Sequence, residues 1–261
     1  MGITRIIDTV LFDVGNTLLD FGDERRHLPA GLRLGYDHLR ERGCALPSFE
    51  RYARHLRRGL ALRLIWSRLV TRRELRPVAA VQAGHRALGI ELDASAAVEV
   101  ANRYYAAMGV ERRADSGARA SLELLHQRGY RLGIVSNSFA PPGGLDRHLA
   151  EEGLLAFFPV RVYSWEVGYM KPDRRIFEAA LMRLGASAHR TLYVGDKEKI
   201  DVKGAARLGM ATVLKLQPGE PYPRRWKPDH VIRSLAELPA VLRAYPTDVH
   251  STDAADGPGR L

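Results

Sequence analysis

Four short polar motifs in this sequence each follow an apolar run, and their residue types suit the chemistry of a phosphoryl group. They are Asp13-Val-Gly15-Asn16-Thr17, Ser136-Asn137, Lys171-Pro172, and Gly195-Asp196 with Asp201. Carboxylate oxygens are the ligands that Mg²⁺ requires, while a lysine cation and hydroxyl or amide donors can bind phosphoryl oxygens. Any one motif is compatible with an ordinary capped loop. Together they predict a site that binds Mg²⁺ and a phosphoryl group.

The elements that must position these motifs alternate along the chain. Short runs rich in Val and Ile predict strands at 6–12, 131–135, 160–163, 191–194, 211–216 and 230–232. Helical patterns follow at 118–128, 174–184, 202–208 and 235–242. Strands that alternate with helices of this length indicate an α/β fold with a parallel sheet. Because such sheets bind ligands at the carboxyl ends of their strands, the four motifs are expected to meet there.

A long helical stretch interrupts the alternation after the first strand. Its periodicity predicts helices at 28–42, 48–69, 73–88 and 94–108. An insertion at this point emerges over the carboxyl ends of the strands and is expected to form a lid. We therefore predict a core domain from 1–20 and 115–245 and a helical cap over 21–114. The small polar residues of 246–261 predict a disordered tail.

The four motifs, in this order and at strand ends, resemble those of the haloacid dehalogenase-like superfamily. The flanking segments 166–168, 175–177 and 204–210 extend the resemblance, and the insert is similar to the type 1 cap of that superfamily. The resemblance implies a Rossmann-like parallel sheet core with an inserted all-helical cap domain. It also implies Mg²⁺-dependent hydrolysis of small phosphate monoesters through an aspartyl-phosphate intermediate.

The resemblance assigns a role to each residue of the motifs. Asp13 is implied as the nucleophile, and Lys171 as the cation that holds it and the transferring oxygens. The implied metal ligands are Asp13, the carbonyl of Gly15, Asp196 and Asp201, the last directly or through water. The implied phosphate-binding residues are Asn16, Thr17, Ser136 and Asn137.

One position departs from the pattern of the phosphatases in this superfamily. They carry a second Asp, which acts as general acid and base, where this chain has Gly15. General acid–base catalysis is typically worth about 10²–10⁴-fold in rate. Either another group, such as Asp20 or His27 near the cap hinge, supplies it, or turnover is slow and limited to good leaving groups.

Three alternatives to a phosphatase are known or conceivable for this fold. Phosphonoacetaldehyde hydrolases form a Schiff base on a cap lysine, and this chain has no lysine before Lys171. Metal-independent 2-haloacid dehalogenases have Ser where Asp196 stands, so a phosphatase is favoured over a dehalogenase. A catalytically weakened binding module is the third alternative, and Gly15 is the feature in its favour.

The charge of the chain is concentrated in the predicted cap. The whole sequence has a formal net charge of +10, and residues 21–113 contribute +8 of it through 18 Arg against 10 acidic residues. This pattern predicts a solvated helical face or attraction of a small anionic substrate. Binding of nucleic acid is not expected, since no DNA- or RNA-binding motif accompanies the charge.

The remaining predictions concern the location of the protein. Cys44 is a single cysteine, which excludes a disulfide within the chain and suits a reducing compartment. No apolar run is long enough to span a membrane, and we expect a cytoplasmic protein. The oligomeric state cannot be read from the sequence.

Overall fold

A six-stranded parallel sheet forms the centre of the protein. The computed structural model describes residues 5–22, 24–66, 74–108, 111–222 and 225–246. Strands β1 to β8 span Thr9–Phe12, Leu19–Asp20, Arg113–Ala114, Arg131–Ser136, Val160–Tyr163, Thr191–Gly195, Ala211–Lys215 and His230–Ile232. Helices α1 to α10 span Glu24–Glu41, Phe49–Trp66, Pro77–Arg86, Ala94–Met108, Ala118–Gln127, Gly144–Glu151, Ser164–Val167, Arg174–Leu184, Lys203–Ala206 and Leu238–Leu242.

The order of strands in the sheet is β5-β4-β1-β6-β7-β8, so β1 lies between β4 and β6. Phe12, the last residue of β1, is in register with Ile134 on one side and Val194 on the other. All strands of this sheet are parallel, and their carboxyl ends therefore lie at one edge. The predicted α/β fold is confirmed.

Alternating side chains of the strands pack against helices on both faces of the sheet. One face contributes Val10, Phe12, Ile134, Val194 and Val213 to a core that includes residues of α5 and α10. The other face contributes Leu11, Val135, Val162 and Tyr193 to a core that includes residues of α8 and α9. Because both faces are covered, the strands read as nearly continuous apolar runs in the sequence.

The predicted elements agree with the observed ones in position, with shifts at their ends. The first strand, predicted over 6–12, is Thr9–Phe12, and the helix predicted over 202–208 is a wide turn at Glu198–Val202 followed by α9. Helices α6 and α7 and the ribbon of β2 and β3 were not predicted. Each strand of the ribbon has two residues, too few for an alternating pattern to register.

Helices α1 to α4 lie between β2 and β3, where the chain leaves the core and returns to it. Leu19 pairs with Ala114, and Asp20 with Arg113, in an antiparallel ribbon. The helices share apolar clusters of their own, with Leu39 and Val100 in one and Tyr52 and Leu56 in another. The domain limits stay a prediction, and the ribbon lies at the two positions where they were placed.

Several predictions on the insert fall partly outside the described residues. Helix α4 has the predicted bounds, whereas α1 begins at Glu24, four residues before its predicted start. The predicted helix end at 67–69 and the predicted helix start at 73 lie outside the described residues, as does the tail beyond 246.

The described arginines of the dense basic stretch lie mostly in solvent. Arg51, Arg54, Arg57, Arg58 and Arg76 are all exposed. Across the described part of the chain, no helix has the length and apolar character needed to cross a membrane.

Candidate active site

Asp13 is held at the end of the central strand of the sheet. It follows β1 directly, and its backbone N–H donates a hydrogen bond of 2.9 Å to the carbonyl of Val194 on β6. The residue is buried, with 6% of its surface exposed. The carboxylate is therefore fixed by two neighbouring strands at the edge where ligands bind.

Three carboxylates converge at this edge. One oxygen each from Asp13, Asp196 and Asp201 lies within 4.8 Å of the others. Asp201 folds back over the end of β6, where a Cβ on Gly195 would lie 2.5 Å from that of Asp201. Glycine at 195 is therefore required by this close approach.

The convergence makes the site strongly negative. Burial and the charges of Asp13 and Asp201 raise the pKa of Asp196 to about 7, against the lowering effect of Lys197. Burial also raises the pKa of Asp201, although Lys171 opposes the rise. Three buried carboxylates that repel one another offer hard oxygen ligands to a small cation, which fits the predicted Mg²⁺.

Lys171 lies between two of these carboxylates. Its Nζ is 2.8 Å from Asp13 Oδ1 and 2.7 Å from Asp201 Oδ1, and it donates a hydrogen bond of 2.8 Å to the Tyr193 hydroxyl. Burial on its own would lower the pKa of Lys171, but the charges of Asp13 and Asp201 outweigh it and the pKa is raised. Lys171 is therefore a permanent cation against the predicted nucleophile.

Asn137 fixes the backbone of Lys171. Its Oδ1 accepts a 2.7 Å hydrogen bond from the Lys171 N–H, and its Nδ2 donates one of 3.1 Å to the Lys171 carbonyl. This reciprocal pair joins the loop after β4 to the loop that carries the lysine. The predicted contact of Asn137 with phosphate stays a prediction, and the structure gives its amide a positioning role.

The other predicted phosphate-binding residues differ in their surroundings. Ser136 is buried at the end of β4 and lines a pocket of about 130 Å³. Asn16 Nδ2 is 3.5 Å from Asp196 Oδ2. Thr17 is fully buried, and its hydroxyl has no hydrogen-bond partner among the described residues. The geometry therefore favours Ser136, and contacts of Asn16 and Thr17 with phosphate also stay predictions.

An aromatic ring occupies the space beside Gly15. A Cβ added to Gly15 would lie 3.1 Å from Cε2 of Phe21, closer than carbon atoms normally approach. The guanidinium of the buried Arg112 lies 4.3 Å from the centre of the same ring. A side chain at 15 would therefore require the Phe21 ring to shift by a few tenths of an ångström.

The two predicted substitutes for that Asp have partners of their own. Asp20 Oδ1 is 3.4 Å from Lys215 Nζ and is half-exposed. His27 Nε2 is 3.2 Å from Glu111 Oε1. These contacts give neither residue a place against Asp13.

Two further residues of the site were not predicted. Tyr193 donates a hydrogen bond of 2.9 Å to the Val135 carbonyl while its oxygen contacts Lys171. Lys215 Nζ lies 3.2 Å from the Thr17 carbonyl oxygen and 2.9 Å from Asp115 Oδ2, and so secures the loop after Asp13. Scarcity of lysine could have signalled Lys215, because the chain has only six lysines and three of them, Lys171, Lys197 and Lys215, lie at or beside this site.

The comparison with protein families agrees with the geometry. The model of the haloacid dehalogenase-like hydrolase family matches residues 7–209. This match covers more than half of the chain, and the chain belongs to that family. The predicted membership is confirmed.

Individual relatives narrow the class of protein. The chain is 36% identical over 132 residues to the glyceraldehyde 3-phosphate phosphatase of Methanopyrus kandleri, a match covering 49% of this chain and 56% of that protein. This chain spans about half the length, or less, of the curated relatives that it matches.

Solved structures match over more of the chain. The crystal structure of a HAD phosphatase from Thermococcus onnurineus is 26% identical, with a TM-score of 0.62, covering 92% of this chain and 99% of that one. The 2-haloacid dehalogenase of Pseudomonas syringae pv. Tomato DC3000 has a TM-score of 0.69 at 23% identity, covering 91% and 99%. At this identity, the similarity to the dehalogenase shows the fold alone.

Proposed function

We propose that this protein is a Mg²⁺-dependent phosphatase that hydrolyses small phosphate monoesters through an aspartyl-phosphate on Asp13. The observation that carries the proposal is the position of Asp13, which lies 2.8 Å from the Lys171 ammonium and within 4.8 Å of two further carboxylates. The names of the relatives above, both phosphatases, support the same reaction.

The residues present define what each would do. Asp13, Asp196, Asp201 and the carbonyl of Gly15 would hold Mg²⁺, which supplies charge neutralisation at the phosphoryl oxygens. Lys171 adds a fixed positive charge beside Asp13 and offsets the repulsion between two anions. Ser136, at the end of β4, would donate a hydrogen bond to a phosphoryl oxygen.

The reaction proceeds in two displacements. A carboxylate oxygen of Asp13 forms a bond to phosphorus while the bond from phosphorus to the leaving oxygen breaks. Water then attacks the same phosphorus, the bond to Asp13 breaks, and orthophosphate leaves while a proton passes to solvent. Covalent catalysis of this kind divides one difficult step into two easier ones.

The leaving oxygen receives no proton from residue 15, which is Gly15. It departs as an anion and takes its proton from water. We therefore expect hydrolysis to be fastest for esters of acidic alcohols, and slower than in relatives with an acid at this position by up to about 10²–10⁴-fold for the others.

The test is hydrolysis of p-nitrophenyl phosphate in Mg²⁺ by wild-type protein and by Asp13→Asn. We expect Asp13→Asn to lower turnover by about 10³-fold or more, because the amide is not a nucleophile. Asp37→Asn, a substitution on the outside of α1, is the control and should retain wild-type turnover. Equal turnover of Asp13→Asn and wild type would reject Asp13 as the nucleophile.

The same protein distinguishes the alternative functions. Chloride release from 2-chloropropionate in EDTA, without Mg²⁺-dependent phosphate release, would identify a metal-independent dehalogenase. Absence of both activities would favour the catalytically weakened binding module. The cluster of Asp13 and Asp196 favours the phosphatase, because a metal-independent displacement has no use for a second buried carboxylate there.

The partners that this proposal implies are small phosphorylated anions. The basic cap, with exposed arginines on α2, would raise their local concentration. A cytoplasmic location and the lack of nucleic-acid binding stay predictions.

A further inference from the structure

An apolar cavity of about 300 Å³ lies among the four helices of the insert. Each of α1, α2, α3 and α4 contributes to its wall, and Phe139, from the loop after β4, completes it. Its apolar lining includes Leu28, Leu32, Leu56, Leu60, Ala80 and Val81. Cavities of this size and character bind small organic groups in proteins.

Three polar side chains in and beside the wall form hydrogen bonds with one another, while Arg57 and Arg63 also line the cavity. His85 Nδ1 is 2.7 Å from the Val81 carbonyl and donates to it, so Nε2 accepts from the Tyr52 hydroxyl at 2.9 Å. The Tyr104 hydroxyl in turn lies 2.6 Å from that of Tyr52. Since this chain of hydrogen bonds ends on a backbone carbonyl, it leaves no donor for a ligand. Apart from Arg57 and Arg63, the lining is therefore apolar, which suits an aromatic ring.

The cavity adjoins the small pocket beside the candidate active site. Phe139 lies three residues after Ser136 and lines both the cavity and the small pocket that contains Ser136 and Asn137. Tyr104 and Tyr105, neighbours on α4, line one of these spaces each. Phe139 thus borders both spaces, and a group attached to a phosphoryl at Ser136 would pass this ring to reach the cavity.

The chemistry at Gly15 restricts what that group can be. Since Gly15 supplies no acid, a leaving oxygen that can depart without protonation is favoured. A phenolic oxygen, with a pKa of about 10, does so far more readily than an aliphatic alkoxide. An aromatic leaving group therefore meets both the shape of the cavity and the missing proton donor.

We propose that the cavity binds the aromatic ring of an aryl phosphate monoester, which makes aryl phosphates the preferred substrates of this protein. This inference rests on the proposed phosphatase function. In the reaction, the bond between phosphorus and the aryl oxygen breaks as Asp13 bonds to phosphorus. The phenolate that leaves is protonated by water.

The experiment compares two substrates whose different leaving groups both depart without protonation but differ in size. 1-Naphthyl phosphate carries a ring for the cavity, whereas acetyl phosphate carries none. Ala80→Leu places added methyl groups in the cavity, and Ala79→Leu, on the exposed side of the same helix, is its matched control. Gly59→Leu is a second variant that lines the cavity, and a Cβ there meets no atom within 4 Å.

We expect Ala80→Leu and Gly59→Leu to lower kcat/KM for 1-naphthyl phosphate by about tenfold or more. Acetyl phosphate should be hydrolysed at the wild-type rate by all variants, and Ala79→Leu should not change either substrate. If both cavity variants retain wild-type kcat/KM for 1-naphthyl phosphate, the cavity proposal is wrong although the phosphatase function stands.

A binding measurement keeps the two proposals separate. Calorimetry with 1-naphthol should show binding to wild type and Ala79→Leu, and weaker binding by about tenfold or more to Ala80→Leu. If no phosphate ester is hydrolysed but 1-naphthol binds in this pattern, the phosphatase function fails and the aromatic site stands. Binding that is equal in all variants, or absent from wild type, overturns the aromatic site.

Discussion

Lys171 and the three carboxylates form the most charged group in the described interior. The Lys171 Nζ bridges Asp13 and Asp201 at 2.8 and 2.7 Å, so its single positive charge is shared between these two carboxylates. Asp196 faces Lys197, which is half-exposed, at 3.2 Å. Of the three acids, Asp196 therefore has the partner that solvent screens most.

This imbalance predicts that Asp196→Asn stabilises the protein while it removes activity. In EDTA at pH 8, relief of the repulsion at Asp196 should raise the free energy of unfolding by about 1–2 kcal/mol, as substitutions of functional residues often do. Urea denaturation measures the change, with Asp37→Asn as a control that leaves stability unchanged. A lower free energy of unfolding for Asp196→Asn would contradict mutual repulsion of the carboxylates.

At the scale of elements, the packing of α1 to α4 depends on a buried histidine. His85, on α3, contacts Tyr52 of α2 at 2.9 Å and lies near Tyr104 of α4. Burial lowers its pKa below the usual value of 6.5, so the ring is neutral in the folded protein. Protonation would turn Nε2 from an acceptor into a donor, so the hydrogen bond with Tyr52 would have to reverse around a buried charge.

The lowered pKa of His85 predicts acid sensitivity of these helices. Below about pH 6.5 the unfolded chain binds a proton at this residue that the folded protein does not, so stability falls as pH falls toward the lowered folded pKa. This one group contributes a slope of at most about 1.4 kcal/mol per pH unit. Urea unfolding at pH 7.5, 6.5 and 5.5 measures it.

The control for this prediction replaces one histidine at a time. His85→Gln, which keeps a hydrogen-bond acceptor, should show a smaller loss of stability between pH 6.5 and 5.5 than wild type. His55→Gln, on α2, should retain the wild-type slope. Equal slopes for His85→Gln and wild type would show that another group causes the acid sensitivity.

For the molecule as a whole, the sequence predicted the sheet well because its strands are buried on both faces. Runs such as Leu132–Val135 and Leu192–Val194 are apolar throughout, and each delivers its motif to the same edge of the sheet. Parallel topology alone therefore predicts that Asp13, Ser136 and Asp196 lie in one region of the sheet.

Contacts between distant loops could not be predicted in the same way. The pairing of Asn137 with the Lys171 backbone and the position of Phe21 against Gly15 depend on how loops far apart in sequence meet. The cap cavity likewise depends on the packing of four helices, whereas periodicity gives only their apolar faces. A small residue at 15 was visible in the sequence, but the ring that fills its space was not.

The central claim is that Asp13 carries the phosphoryl group during turnover. The most direct measurement is acid quenching of protein incubated with Mg²⁺ and radiolabelled acetyl phosphate, followed by mapping of the label by proteolysis and mass spectrometry. We predict a hydroxylamine-sensitive label on the peptide that contains Asp13, absent from Asp13→Asn and from samples in EDTA. Hydrolysis of the substrate without any label, or a label that persists in Asp13→Asn, would contradict the account.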